Sequence, residues 1–168
     1  MTFTPITLPA ADNALMTTAT GINNAGEISG FFVNSSGSTE GYLDNAGTFT
    51  LLEVPGSNST MFLGINNQGQ AVGAYQDANG FNNGLLYNRG AGTFQTVDNP
   101  SAVLANGGTT INGLNDLGQL VGFYGDANGN TIGLLANPAA SVPEPASLFF
   151  VGLRLIAIAA IARYLRKV

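Results

Sequence analysis

Carboxylates are the side chains of this sequence that recur at regular spacing and could carry out chemistry. Two pairs are candidates: Asp77 with Asp126, which begin matching Asp-Ala-Asn-Gly segments, and Glu27 with Glu53. Paired carboxylates can act as general acid and base in hydrolysis, and Asp77 and Asp126 could also contribute oxygen ligands to Ca²⁺. The chain has no His and no Cys, which excludes His-dependent nucleophiles, His or Cys metal ligands, and disulfides.

A structural interpretation of the same carboxylates competes with the catalytic one. Asp and Asn that precede Gly stabilise turns, because their side chains accept hydrogen bonds from the backbone a few residues further on. The segments recur along the chain, whereas an active site normally breaks a repeat pattern. We therefore interpret Asp77 and Asp126 as turn formers, keep metal binding there as the alternative, and expect neither an enzyme nor a resident cofactor.

The sequence contains three copies of one unit. The segment at 21–30, GINNAGEISG, recurs at 64–73 and at 113–122, with starts 43 and 49 residues apart. Five glycines keep the same register in every copy: Gly21, Gly26, Gly30, Gly37 and Gly41; Gly64, Gly69, Gly73, Gly80 and Gly84; Gly113, Gly118, Gly122, Gly129 and Gly133. A second element, Thr-Phe-Thr or Thr-Phe-Gln followed by Pro, occurs at 2–9, 48–55 and 93–100.

Each copy has the pattern of β-structure. Short runs rich in β-branched and aromatic residues alternate with Asn, Asp and Gly clusters, which predicts strands in the second copy at about 61–66, 70–75, 82–87 and 93–98. The Asn-Asn/Asp-x-Gly element is typical of a hairpin loop closed by a glycine with positive φ. Positions 22, 65 and 114, and positions 42, 85 and 134, are expected to be buried.

Four strands in roughly 45 residues match the size of a propeller blade. We therefore predict an all-β fold of three propeller-blade-like, four-stranded antiparallel repeats, followed by a single C-terminal transmembrane helix. The repeats are placed at about 1–47, 48–92 and 93–138, and the tail at 139–168. A β-solenoid or a sandwich is the alternative architecture.

The body at 1–137 resembles the HAF-type extracellular repeat proteins of bacteria, in which G-I-N-x-x-G-x-hydrophobic-x-G recurs at this spacing. Three copies are fewer than the four or more blades of an ordinary propeller. The chain also begins within the pattern, at Thr2, so we expect further copies upstream.

Charge separates the body from the tail. Residues 1–141 carry nine acidic side chains and one basic side chain, Arg89, whereas 142–168 carry Glu144 and four basic residues. An acidic body repels phosphate backbones, so nucleic-acid binding is not expected. The basic end is typical of a membrane surface.

The tail combines three features in order: Val142, Pro143, Glu144 and Pro145, then an apolar segment at 146–162, then Arg163, Arg166 and Lys167. This arrangement resembles a PEP-CTERM sorting signal. The resemblance implies recognition and processing at 143–145 by an exosortase-type enzyme. It also implies surface display by a Gram-negative bacterium that secretes polysaccharide.

The apolar segment is short for a membrane helix, because its 17 residues span roughly 25 Å. Arg154 near its centre weakens insertion, so the segment is better suited to a transient inner-membrane anchor. The basic end predicts a cytoplasmic C-terminus and an exported body. Residues 1–20 lack the pattern of a signal peptide, so we expect the export signal upstream of this sequence.

These features predict an exported, surface-sorted repeat protein with a structural or adhesive role in the extracellular matrix. The expected partners are an exosortase-type enzyme, the membrane, exopolysaccharide and other copies of the chain. A glycan-binding module, with or without assistance from Ca²⁺, is the alternative, and Tyr75 and Tyr124 are its candidate exposed aromatics. Ice binding is a remote alternative, because the Thr-x-Thr pairs at 2–4, 18–20 and 48–50 are too irregular for a flat array.

Overall fold

The computed structural model describes residues 1–138, which form an all-β fold with no α-helix among them. Short 3-10 turns at Ala10–Asp12 and Leu104–Asn106 precede the first and ninth strands. The strands are β1 Ala14–Ile22, β2 Ile28–Asn34, β3 Thr39–Asn45, β4 Thr48–Leu52, β5 Ser59–Ile65, β6 Gln70–Gln76, β7 Asn82–Asn88, β8 Thr93–Thr96, β9 Thr109–Leu114, β10 Leu120–Gly125 and β11 Thr131–Ala136.

The strands form three antiparallel meanders, in which each strand pairs with the next along the chain. Unit 1 is β1–β4, unit 2 is β5–β8, and unit 3 is β9–β11. The strands predicted for the second copy are confirmed to within two residues at either end. Unit 3 has three strands among residues 1–138.

The hydrogen-bonded units run over 14–52, 59–96 and 109–136. The repeat limits predicted from the sequence, 48–92 and 93–138, assign 48–52 and 93–96 to the start of the following copy. In the structure β4 pairs with β3, and β8 pairs with β7, so each of these strands completes the preceding meander.

The three units form two sheets that do not close into a ring within 1–138. A single parallel pairing, Thr39 with Ser59, joins units 1 and 2 into one eight-stranded sheet, and unit 3 is a separate three-stranded sheet. Strand β5 packs across β1, β2 and β3, and β9 packs across β5, β6 and β7. The units therefore stack one on the next, each with its first strand against its predecessor.

The hydrophobic core lies between the units. Leu43 of unit 1 packs with Phe62, Ile65 and Leu85 of unit 2, and the next interface joins Val72 of unit 2 to residues of unit 3. Phe62 and Val72 are completely buried, and full burial of such side chains stabilises a fold by about 1.5–3 kcal/mol each. A single meander has no partner for its two apolar faces, so stability depends on stacking.

The expected core positions are buried in some copies and not in others. Ile65, Tyr42 and Leu85 are buried, and Leu114 and Leu134 are half-buried. The prediction for Ile22 is wrong, because its side chain is 67% exposed. Position 22 faces away from unit 2, toward the side on which no further unit lies among residues 1–138.

The repeated turn glycines have the predicted conformation. Gly26, Gly69 and Gly118 close the first turn of each unit with φ between 74° and 80°. This left-handed region is strained for residues with a Cβ atom, so the Asn-x-x-Gly spacing determines where each hairpin turns.

None of the helices in the described residues is long and apolar enough to cross a membrane. The helix predicted at 146–162 lies in the part of the chain that the structure does not describe.

Candidate functional site

The repeated asparagine of the first turn fixes the local backbone through its side-chain oxygen. In unit 2 the Oδ1 atom of Asn66 accepts hydrogen bonds from the backbone N–H groups of Gln68 and Gln70, both at 3.0 Å. Asn23 and Asn115 make the same pair of bonds in units 1 and 3. The predicted turn-forming role of these asparagines is confirmed.

The other end of the same amide joins one unit to the next. The Nδ2 atom of Asn23 donates to the backbone oxygen of Asn66, and that of Asn66 donates to the backbone oxygen of Asn115, both at 3.2 Å. One residue further on, the backbone N–H of Asn24 donates to Asn67 Oδ1 at 2.8 Å. These bonds connect atoms 43 and 49 residues apart in sequence.

The corresponding bond between units 2 and 3 involves a carboxylate. Asp116 accepts the backbone N–H of Asn67 at 2.9 Å and its side-chain amide at 2.6 Å. These hydrogen bonds, the side-chain one first, hold the pKa of Asp116 below its ordinary value. We call the contacts among residues 23–24, 66–67 and 115–116 the asparagine ladder.

The ladder has two open ends. In unit 3 the Nδ2 atom of Asn115 donates to Gln119 Oε1 within its own turn at 2.7 Å, and within 1–138 it reaches no following unit. In unit 1 the backbone oxygen of Asn23 accepts from Gly26 of its own turn, and it receives no bond from another described unit. Both ends therefore offer the groups that join units elsewhere in the ladder.

Asp77 and Asp126 use their carboxylates in their own turns. Asp77 Oδ1 accepts the backbone N–H groups of Asn79 and Phe81, both at 2.9 Å. Asp126 makes the equivalent bonds and also accepts the side-chain amide of Asn130 at 3.1 Å. The Asn130 contacts, foremost among several hydrogen bonds, lower the pKa of Asp126. Within 1–138 no three acidic side chains gather into a group that could hold a metal ion.

The buried carboxylate of Glu27 pairs with a base rather than with a second acid. Its side chain, 8% exposed, forms an ion pair with Arg89 and accepts a hydrogen bond from Asn23 Nδ2 at 3.2 Å. Glu53 is exposed in the connection between β4 and β5. The sequence analysis does not predict this contact between units 1 and 2.

A cleft of about 170 Å³ lies beside this ion pair, between units 1 and 2. We call it the inter-unit cleft. Its lining consists of Glu27, Leu43, Asn45, Thr48, Thr50, Tyr87 and Arg89. Gln70 and Gln119 occupy the Glu27 position in the other units, so the side chains of this cleft depart from the repeat.

The outer faces of the first and last units are apolar and exposed. The open face of unit 1 is a groove of about 350 Å³ lined by Ala19, Thr20, Gly21, Ile22 and Ile28. On the open face of unit 3, Val121 and Leu135 are 49% and 62% exposed, whereas Val72, the counterpart of Val121, is completely buried. The same repeat positions are thus buried inside the stack and exposed at its ends.

The aromatics proposed as exposed sugar platforms are both half-buried. Tyr75 packs against the core between units 1 and 2, and its hydroxyl is 2.8 Å from Thr96 Oγ1. The predicted exposure of Tyr75 and Tyr124 is therefore wrong, because both lie on the face that packs toward the preceding unit.

The predicted sorting residues lie outside the described part of the chain. They are Val142, Pro143, Glu144 and Pro145, with the basic residues Arg163, Arg166 and Lys167.

No protein-family model matches this chain, and no curated protein or solved structure is similar to it at a significant level. Its function is therefore argued from its own residues and contacts.

Proposed function

We propose that this chain is an exported, surface-sorted bacterial repeat protein with a non-catalytic structural or adhesive role in the extracellular matrix. The asparagine ladder carries the proposal. Its polar side chains recur in every copy and are used to hold units together, as in Asn66 to Asn115. A chain that uses its repeated polar groups in this way is suited to building an extended, blade-like array.

The sequence of the tail supports sorting of the chain to the cell surface. Pro143, Glu144 and Pro145 precede an apolar segment and a basic end, and they are the proposed processing site for an exosortase-type enzyme. The apolar segment would hold the chain in the inner membrane until processing, with its basic end in the cytoplasm. Release of the body at the surface would then bring it to exopolysaccharide and to other copies.

Sorting is tested by expressing the gene with its upstream sequence in a host that carries the sorting enzyme. Fractionation should find processed protein at the surface, and Glu144→Ala should leave an unprocessed form in the membrane. Glu53→Ala, at an exposed glutamate in the body, is the matched control and should be processed normally. Unprocessed wild-type protein in the cytosol, or normal processing of Glu144→Ala, would contradict the proposal.

A glycan-binding module is the second candidate, because the inter-unit cleft combines Tyr87, Glu27 and Arg89 with threonine hydroxyls. Sites for small polar ligands combine an apolar wall with a few placed polar groups. The cleft volume is about 170 Å³, below the roughly 300–1,000 Å³ of pockets for drug-sized ligands, so its occupant would be small.

A glycan array, run with and without Ca²⁺, separates the two candidates. Saturable binding that Arg89→Gln removes and Tyr124→Ala retains would favour the glycan module at the cleft. Binding that requires Ca²⁺ and is lost in Asp77→Asn would instead implicate the turn carboxylates. The structural role predicts no saturable binding to any single glycan.

A further inference from the structure

The N-terminal segment at 2–9 repeats the sequence of a strand that completes a unit. Its Thr-Phe-Thr followed by Pro matches 48–55 and 93–100, and in those two copies the element forms β4 and β8, the fourth strands of units 1 and 2. In the first copy the same element forms no strand, since 1–9 has no regular secondary structure.

The second half of this segment already lies where its counterparts lie. Leu52, the last residue of the fourth strand of unit 1, and Val54, two residues further on, pack against the core of unit 2. Ile6 and Leu8, at the equivalent positions, pack against Phe32 and other core residues of unit 1. The segment is therefore seated on unit 1 as the end of a preceding unit would be.

The first half of the segment is left without a strand partner within 1–138. Phe3 is 89% exposed, whereas its counterparts are packed against tyrosines. Phe49 lies 5.5 Å from Tyr42, and Phe94 lies 4.9 Å from Tyr87, between ring centroids.

Among the described residues, unit 3 has no fourth strand of the kind that this segment would supply. Strand β11 pairs with β10 alone among the described residues, whereas the equivalent strands β3 and β7 each carry a fourth strand. The open face of unit 3 exposes Val121, Phe123 and Leu135, and the asparagine ladder ends there at Asn115. Within residues 1–138, the unpaired strand edge, the exposed face and the open end of the asparagine ladder all lie at the same end of the stack.

We propose that two copies of this chain join head to tail, with residues 2–5 of one copy pairing as the fourth strand on β11 of the other. The open face of unit 3 then packs against the open face of unit 1, in the way that units 1 and 2 pack within one chain. Pro5 is tolerated because the added strand lies at the edge of the sheet.

The internal pairs give the register of the new contact. Leu43 lies opposite Thr50 in unit 1, and Leu86 lies opposite Gln95 in unit 2. The equivalent pair between copies is Leu135 with Thr4. Because the two joined surfaces differ, the contact repeats from copy to copy and produces either a ring or a filament. A second copy of the chain is thus the partner for the structural role proposed above, and this assembly rests on that role.

Disulfide trapping tests the register directly, because the chain has no cysteine. Cα atoms of paired antiparallel strands lie about 4.5–5.5 Å apart, within the disulfide range of about 4.4–6.8 Å. A full-length Thr4→Cys chain is mixed with a full-length Leu135→Cys chain in mild detergent and oxidised. Heterodimers linked through these two cysteines should exceed either homodimer, as measured by mass spectrometry of the linked peptides.

The matched control mixes Thr4→Cys with Thr131→Cys, at an exposed residue four positions before Leu135 in β11. The proposed register separates this pair by roughly 13 Å along the strand, so it should give few heterodimers. Equal heterodimer yields in the two mixtures would overturn the proposal. A cross-link confined to single chains in a Thr4→Cys/Leu135→Cys double variant would also overturn it.

A second measurement does not depend on cysteine chemistry. Leu135→Glu places a charge on the open face of unit 3 and should abolish concentration-dependent association in sedimentation velocity. Leu104→Glu, at an exposed leucine outside both open faces, should associate like the unmodified chain. Association that survives Leu135→Glu would overturn the proposal. Neither assay involves export or processing, so a failure here is distinct from a failure of the sorting proposal.

Discussion

The side-chain amide of Asn66 is shared between two units. Its oxygen holds the turn of unit 2, and its nitrogen donates to Asn115 of unit 3. Asn115 makes the same turn bonds, and within 1–138 its nitrogen reaches only Gln119 of its own turn. The two asparagines therefore differ by one hydrogen bond between units and in burial, since Asn66 is buried and Asn115 is exposed.

Replacing each of these asparagines by Asp separates the turn from the ladder. Asp keeps the oxygen that the turn needs and removes the donor. We expect Asn66→Asp to lower the free energy of unfolding by at least about 1 kcal/mol more than Asn115→Asp does, because it loses the hydrogen bond between units and also places a charge at a buried position. Urea denaturation at neutral pH measures the difference. Equal losses would show that the ladder bond contributes nothing measurable.

Asp116 gives the interface between units 2 and 3 a dependence on pH. Hydrogen bonds from Asn67 lower its pKa below the ordinary value of 3.8, so its contribution to stability is present above that value and is lost as pH falls through the lowered pKa. We expect stability to decline below about pH 4, and Asp116→Asn to reduce that decline.

The measurement is thermal unfolding from pH 6 to pH 2.5. Asp126→Asn is the control, because the pKa of Asp126 is also lowered but its hydrogen bonds stay within one turn. Both variants should flatten the pH profile. Asp116→Asn alone should also change the acid sensitivity of the contact between units 2 and 3, which amide exchange at low pH would report.

Part of this chemistry could be predicted from the sequence. The turn roles of Asn23 and Asp77 follow from local spacing to a glycine, because the bonds involved close within four residues. The ladder bonds connect atoms 43 and 49 residues apart, and they depend on which units stack and on the register between them. The Glu27–Arg89 ion pair also depends on which units stack. A single base in an otherwise acidic body indicates an ion pair, but the sequence does not indicate which acid takes part.

At the scale of the strands, the repeated glycines make room for the next unit. A Cβ atom on Gly41 of β3 would lie 2.7 Å from the ring of Phe62 in unit 2, and a Cβ on Gly133 of β11 would meet no described atom within 4 Å. Phe62 is completely buried, so its ring has little space to move away. The same repeat position is therefore crowded inside the stack and open at its end.

We expect Gly41→Ala to destabilise the protein by about 1–3 kcal/mol, the usual cost of overpacking a core. Gly133→Ala should change stability by less than about 0.5 kcal/mol, as exposed substitutions usually do. Chemical denaturation of both variants at a concentration where the chain is monomeric measures the two effects. A large loss in Gly133→Ala would mean that residues after 138 already cover this position.

The strands were predictable and their burial was not. The regular spacing of the turn glycines predicts the strand limits of unit 2 to within two residues, because hairpin geometry is local. The prediction that Ile22 is buried failed, although Ile65 at the same repeat position is buried. The difference arises because unit 1 covers Ile65 of unit 2, whereas no unit within residues 1–138 covers Ile22, and this depends on how the units stack.

For the molecule as a whole, stability should be greatest in the middle of the stack. Unit 2 is covered on both faces, by Leu43 and its neighbours on one side and by Ile111 and Leu120 on the other. Unit 1 is covered by unit 2 and in part by Ile6 and Leu8. Unit 3 leaves Val121 and Leu135 exposed on its open face.

Amide hydrogen exchange can compare β6 with β10, since each is the central strand of its meander and is paired on both sides. Exchange from a repeat array reports local opening, which is easiest for the unit with the fewest neighbours. At a concentration where the chain is monomeric, we expect the amides of β6 to exchange more slowly than those of β10, with β2 between them. Raising the concentration should slow exchange in β10 and β11 of unit 3 and in β1 and β2 of unit 1 while leaving β6 unchanged, because the open faces of units 3 and 1 gain neighbours. Equal protection of β6 and β10 in the monomer would contradict the dependence of stability on stacking.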